Sequence, residues 1–343
     1  MQTLSRCLFL AALISLAVLS AAPAMAAERL KVVATFSILG DMVKNVGGDQ
    51  VALTTLVGAD GDAHVYKPTP ADAKALAQAD LVMVNGLGFE GWIDRLIKAS
   101  GYKGPVIVAS QGIAALKAEE EHAHEDKDHG HKEHGHKDHD HGKKDNDHDH
   151  DHAKKEEHHG QGHDHDHGEW DPHAWQNLAN GRAYVANIAR ALAAADPVHA
   201  DDYRRRAAAY DQKLAALDKG IRERLESVPA DRRKVITSHD AFRYFGTAYG
   251  MEFLAPVGLS TESEPSAGEV AELIRQMKKE NIRALFVENI TDPRLIEQLA
   301  REAGATIGGT LYSDSLSGTD GPAATYLDMF RSNIGQIMKA LTS

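Results

Sequence analysis

Cysteine is all but missing from this chain. Cys7 is the only one in 343 residues, and it precedes the apolar run at residues 8–19. Beyond that segment there is no thiol. Disulfides, thiolate metal sites and cysteine nucleophiles are therefore excluded, and a metal site has to be built from His, Asp and Glu. Long apolar runs are scarce too. The run at residues 8–19 is shorter than the roughly 20 residues of a membrane helix, and no later stretch approaches that length. Arg6 stands before it, and Ala24-Met25-Ala26 follows with the small-x-small pattern of a cleavage site. Residues 1–26 are read as an export signal removed after Ala26, with an uncleaved anchor as the alternative. A basic stripe is also lacking. Nothing here neutralises phosphates, so nucleic acid is excluded as a partner.

The acidic excess is local. The net charge is −12, but residues 119–169 hold 18 Asp/Glu against 7 Lys/Arg, which places −11 in that one segment. The same segment contains 16 of the 20 histidines and almost no apolar residues. It cannot bury enough surface to offset its ordering entropy, so disorder in the absence of metal is expected. It reads as a surface loop interrupting a domain. A hydrophobic share of 43% leaves the rest of the chain well able to form cores.

On both sides of that segment, strand and helix patterns alternate. Residues 30–36, 51–57, 81–85 and 106–109 read as strands, with helical stretches such as 71–79 between them. The scheme then recurs: strand 235–238, helix 240–249, helix 266–281, strand 284–287, a helix from Pro293 to Gly304, strand 306–311, and a last helix over 323–341. Ser266 and Glu269 form a capping-box pattern, and Val270, Leu273, Ile274 and Met277 follow at i, i+3, i+4 and i+7. Alternation of this kind predicts an α/β fold with parallel sheets. Between the halves, Tyr203, Tyr210, Leu214, Leu217 and Ile221 recur at helical spacing. One long helix over 197–228 is expected there, two helices broken near Gly220 being the alternative. The expected organisation is a signal at 1–26, a first lobe at 27–196 carrying the loop 119–169, the linking helix, and a second lobe at 229–343.

Four histidines lie outside the loop. His64 follows the strand 51–57, and His239 directly follows the strand 235–238. Asp314 follows the strand 306–311. Ligands of open α/β sheets bind beyond the carboxyl ends of strands, and these three residues occupy that edge. His173 sits in Asp-Pro-His-Ala-Trp, where the polar loop returns to folded sequence. His199 follows Pro197 at a helix start and reads as an exposed residue with no site role. Three neutral imidazoles and one carboxylate suit Zn²⁺, which favours four nitrogen and oxygen donors where Cys is absent. Manganese favours more carboxylate or water oxygen, while copper outbinds zinc on affinity alone. Metal binding requires unprotonated imidazole, so affinity is expected to fall below the ordinary histidine pKa of about 6.5.

At this point the chain resembles the zinc/manganese solute-binding proteins of bacterial ABC importers. The resemblance rests on His64 with Tyr66 and Pro68-Thr69-Pro70, Asp171-Pro172-His173, Ser238-His239-Asp240-Ala241-Phe242, Glu264-Pro265-Ser266, and Gly308-Gly309 with Asp314-Ser315-Leu316-Ser317. It implies two (β/α)₄ lobes joined by a long rigid helix, with the metal in the cleft held by His64, His173, His239 and Asp314. It implies one tight Zn²⁺, because manganese members usually carry Glu where His239 stands. It implies weak additional zinc sites in the His-rich loop. It further implies a monomer in the periplasm that delivers zinc to a permease in the inner membrane, a periplasmic zinc chaperone being a further candidate partner. The sequence departs at Ala63 and Lys67, where Pro and Glu are common, and at Gln176-Asn177, where Leu-Asp often stands. A surface adhesin of the same fold would use the same ligands. A zinc hydrolase is the alternative from another class. Against it, Asp314 would close the fourth zinc position, and no HExxH pairing supplies a general base. No enzyme is expected.

Overall fold

The computed structural model describes residues 28–118 and 169–342. The expected signal at 1–26 and all but the last residue of the segment 119–169 lie outside them. The first lobe opens with β1 (Leu30–Phe36), α1 (Ser37–Gly47) and β2 (Val51–Val57). It continues through α2 (Pro70–Ala77), β3 (Leu81–Val84), α3 (Ile93–Ser100) and β4 (Val106–Val108). The four strands form one parallel sheet in the order β2-β1-β3-β4. Residues 32–36 of β1 are all buried, as a strand covered on both faces should be.

The chain leaves this lobe at Ala118 and re-enters at Glu169, where the Ala118 N–H donates to the Glu169 carbonyl at 3.0 Å. Lys117 and Trp170 form an antiparallel bridge beside it. The two ends of the His-rich segment are thus clasped together, the geometry of an insertion. Next come α4 (Leu178–Ala195) and α5 (Ala200–Glu226). α5 is unbroken over 27 residues, about 40 Å at 1.5 Å per residue. Gly220 does not interrupt it, so the two-helix alternative is not what forms. The expected start at Pro197 is instead a short 3₁₀ turn, Pro197–His199.

The second lobe contains β5 (Lys234–Ile236), α6 (Arg243–Tyr249), β6 (Glu252–Leu254), α7 (Ala267–Glu280), β7 (Ala284–Glu288), α8 (Arg294–Ala303), β8 (Thr306–Leu311) and α9 (Tyr326–Thr342). Its sheet is also parallel, ordered β6-β5-β7-β8, which repeats the first lobe's order. The capping box of α7 forms: Ser266 Oγ accepts from the Glu269 N–H while Glu269 accepts from the Ser266 N–H. The β7–β8 register slips by one residue, so Leu285 faces Ile307 and Phe286 faces Gly309. Gly308 is the extra residue of a bulge. A Cβ there would stand 2.6 Å from the Phe286 ring and 2.9 Å from Ala340. Gly309 has φ +136°. Both glycines are needed for β8 to pass this point and carry the chain to Asp314. Among the described residues no helix is long and apolar enough to cross a membrane.

Candidate metal centre

The candidate donors converge where the lobes meet. His64 extends from the loop after β2, His239 from the turn after β5, Asp314 from the loop after β8, and His173 from the segment entering α4. Asp314 Oδ2 lies 3.1 Å from His64 Nε2, 3.1 Å from His239 Nε2 and 3.6 Å from His173 Nε2. His64 Nε2 and His173 Nε2 are 3.4 Å apart. All four ligand atoms fall within 4.8 Å of one another. Side-chain exposure is 5% for His64 and 0% for Asp314, His173 and His239. Asp314 Oδ1 is buried with no hydrogen-bond partner. His199 is not among them; its Nδ1 pairs with Asp196 at 2.6 Å near the start of α5.

Three of the donors come with dedicated supports. Asp171 Oδ1 accepts both the His173 backbone N–H and its ring Nδ1, each at 2.9 Å. Glu288, at the end of β7, accepts the His239 backbone N–H at 2.8 Å through Oε1. Its Oε2 lies 2.7 Å from His239 Nδ1, close but out of line for a hydrogen bond. Carboxylates placed behind imidazoles in this way fix the ring and raise its basicity as a ligand. Asp314 is held through its own loop. Trp175 Nε1 and Gln176 Nε2 donate to the Ser313 carbonyl at 2.9 and 2.6 Å. Further bonds tie the lobes around the cluster: Leu316 N–H to Ser37 Oγ at 2.9 Å, Asp60 N–H to the Leu316 carbonyl at 2.9 Å, and the Thr261 hydroxyl to Asp62 at 2.6 Å.

The departures noted in the sequence take other parts. Ala63 is buried, and its carbonyl accepts from Trp92 Nε1 at 2.8 Å. Gln176 braces the Asp314 loop, as above. Asn177 caps α4 by accepting the Ala179 N–H at 2.9 Å. Sequence reasoning gave no role to Glu288. Its one signal is a charged residue closing an otherwise apolar strand, Ala-Leu-Phe-Val-Glu, where a buried glutamate is rare unless partnered.

Electrostatics couple the cluster. Burial works against charging His173, but the Asp314 carboxylate and the hydrogen bond to Asp171 outweigh it and push its pKa up to about 9. Burial likewise opposes the charged form of His239, and Glu288 and Asp314 hold it well above the ordinary value. Burial would raise Asp314, yet the His173 and His239 rings hold its carboxyl well below the usual carboxylate range. Protons and a cation therefore compete for the same atoms. The expected window for losing affinity, below about 6.5, moves upward in this environment.

Fold and site together define a class: two-lobed α/β proteins with a cation-sized cluster of imidazole and carboxylate buried between the lobes. The family model described as "Zinc-uptake complex component A periplasmic" matches residues 32–340, and the chain belongs to that family. It is a metal-binding, extracytoplasmic component of an ABC importer, a class that works with a membrane permease and its ATPase. It is a solute-binding protein rather than an enzyme, in agreement with the sequence expectation. The iron-binding protein YfeA of Yersinia pestis is 31% identical over 92% of this chain and 88% of its own. The periplasmic zinc-binding protein TroA of Treponema pallidum matches with a TM-score of 0.74 at 28% identity, covering 91% of this chain and 99% of that one. The Mn-bound periplasmic metal-binding protein of Candidatus Liberibacter asiaticus matches at 0.71 and 30%, covering 91% and 100%. Those names carry three different metals.

Proposed function

We propose that this protein is the high-affinity zinc receptor of its importer, binding one Zn²⁺ through His64, His173, His239 and Asp314 in the periplasm and passing it to the permease. The observation that carries this reading is the buried set of three imidazole nitrogens and one carboxylate oxygen within 4.8 Å. A tetrahedron with bonds of about 2.0–2.2 Å has edges of about 3.3–3.6 Å. Four of the six donor–donor separations, at 3.1, 3.1, 3.4 and 3.6 Å, lie around that value. His239, where manganese members usually carry Glu, supports the same choice. The His-rich segment supplies weaker sites that collect zinc, and export removes residues 1–26. An ion held by donors from both lobes favours their joined arrangement.

The test is zinc stoichiometry and affinity by chelator competition, on protein lacking residues 119–169, with and without His239→Ala. One tight zinc that disappears in the variant is the expected result. No tight zinc without the segment would place the binding in the segment and overturn the four-donor assignment. A manganese reading has one observation in its favour. Asp314 Oδ1 is buried and unpartnered, so it offers a second oxygen to an ion that takes more oxygen ligands. Competition between the two ions for the same protein decides between them.

A further inference from the structure

His64 differs from the other two imidazoles. Among the described residues no carboxylate stands behind its second ring nitrogen. Its acidic contacts are Asp314 Oδ2 and Asp62, which accepts only its backbone N–H, at 2.9 Å. Besides the rings of His173 and His239, at 5.4 and 5.7 Å between centroids, the ring meets Phe89, edge to face, with centroids 4.9 Å apart and planes at 79°. Phe89 is buried. It also packs on Trp175 at 4.7 Å, on Phe36 at 4.9 Å and on His173 at 6.2 Å.

The turn that delivers Phe89 is strained. Gly86, Leu87 and Gly88 have φ of +85°, +58° and +80°. A non-glycine in this region persists only where the surroundings enforce it. Glu90 supplies the enforcement. Its buried Oε1 accepts the Asn85 N–H at 2.7 Å and the Thr35 hydroxyl at 2.5 Å, and its Oε2 accepts the Gly86 N–H at 3.3 Å. Asn85 then reaches across to the other first-lobe donor, its Nδ2 donating to the Pro172 carbonyl at 2.9 Å. Tyr184 donates to Asn85 Oδ1 at 2.7 Å and holds that amide in place. One clamped turn therefore braces His173 through the backbone and His64 through an aromatic ring.

We infer that Phe89 is a positioning and specificity residue. Pressed onto His64 by the turn that Glu90 clamps, it sets the ring plane of the imidazole that has no carboxylate behind its second nitrogen. It also sets an apolar ring on that side of the cluster, which gives an added water no polar partner there and keeps the ion on four protein donors. Zinc accepts such a set, whereas ions preferring six oxygen-rich positions do not. The inference rests on the four-donor zinc reading above.

The experiment uses the full chain, stripped of metal and titrated with Co²⁺, whose visible absorption is intense in four-coordinate sites and weak in higher-coordinate ones. The spectrum of the same protein carrying His239→Ala is subtracted to remove absorption from the His-rich segment. Wild type is expected to give an intense band. Phe89→Ala should lose most of that band and bind zinc about tenfold more weakly, with manganese binding kept. Phe89→Leu retains apolar volume without the ring, and should fall between the two. Thermal melting of the metal-free variants separates packing from positioning, since a purely structural role would lower the midpoint and leave the band unchanged. An intense band in wild type with the same band and zinc affinity in both variants overturns the inference. An absent band in wild type, with His239→Ala making no difference, overturns the four-donor reading itself.

Discussion

The two lobes share one strand order and supply two candidate donors each, yet they are packed differently. In the first lobe, β1 and β3 are buried against helices that belong to one continuous core. That core runs on through α4 and α5 into α6 and α9 of the second lobe. The outer layer of the second lobe has a separate, smaller core built from Ile236, Val270, Leu273, Ile274, Met277, Ile282, Leu285, Ile296, Leu299 and Ala300. The split follows the two-residue period of a strand. Val235 and Phe286 face the main core, while their neighbours Ile236 and Leu285 face the satellite. The inner face of the second lobe is thus fused to the first lobe around the candidate donor cluster, and α7 with α8 forms a layer apart. A sheet's face, rather than a domain boundary, separates the two cores.

That contrast is open to test. The largest effect is expected at the junction itself. Asp314→Ala removes the oxygen that all three imidazoles approach, and zinc affinity measured by chelator competition should fall by at least about 100-fold, more than loss of a supporting residue causes. Affinity retained within tenfold of wild type would remove Asp314 from the donor set.

Core truncation comes next. Leu39 in the main core and Leu299 in the satellite are both fully buried, and replacing either by Ala should cost about 2–5 kcal/mol. The distinction lies in where the loss is felt. Leu39→Ala should lower the global melting transition. Leu299→Ala should accelerate amide exchange in α7 and α8 ahead of global unfolding. Identical exchange patterns for the two variants would merge the two cores into one.

The pH response is smaller per unit. His173 sits at about 9 and His239 well above its ordinary value in the metal-free protein. Pairing of their imidazolium forms with carboxylates stabilises the metal-free fold fully below about pH 6.5, and that contribution fades as pH rises through about 9 for His173. Metal binding needs those protons removed, so the sign for affinity is opposite. Apparent zinc affinity should rise about tenfold per pH unit for each proton displaced, from neutral pH up to about 9. Calorimetry in buffers of different ionisation enthalpy counts the protons released. A flat profile between pH 7 and about 9 would contradict the carboxylate pairing.

The smallest effects belong to the helix caps, one from each lobe. Thr69 caps α2 and Ser266 caps α7, each in a capping box. Replacement by Ala should cost about 1 kcal/mol at either place. For Ser266→Ala the loss should register in exchange of the satellite layer. A global shift of several degrees with no local change would break the picture of a separable layer.

Much of the fold was readable because local chemistry and fold agree. The strands at 30–36, 51–57 and 306–311 match their expected limits, and so does the capping box of α7. Alternation alone marks neither α4 nor β6. α4 lies directly after the polar segment and is rich in Ala with little contrast between faces; β6 is only three residues long. The helix expected from Asp240 begins at Arg243, because His239 bridges to Val257 and the Asp240 N–H turns to the carbonyls of Val257 and Gly258. Gly220 lies on α5 with nothing within 4 Å of where a Cβ would be, so its cost is only the local one of glycine in a helix, which packing elsewhere on α5 overrides.

The sequence by itself determined what the site can be made of. With no thiol beyond Cys7, three histidines and an aspartate placed just past strands or at a re-entry point left nitrogen and oxygen as the only donors. Tertiary structure alone decided their arrangement. His64 and Asp314 are 250 residues apart, and their 3.1 Å approach depends on both sheets docking through one shared core. Glu288 reaches His239 across 49 residues, and Phe89 reaches His64 from a turn whose strain Glu90 absorbs. Spacing along a chain sets which faces residues occupy. Distances between donors, and the buried charges that move their pKa values, exist only once those faces are packed together.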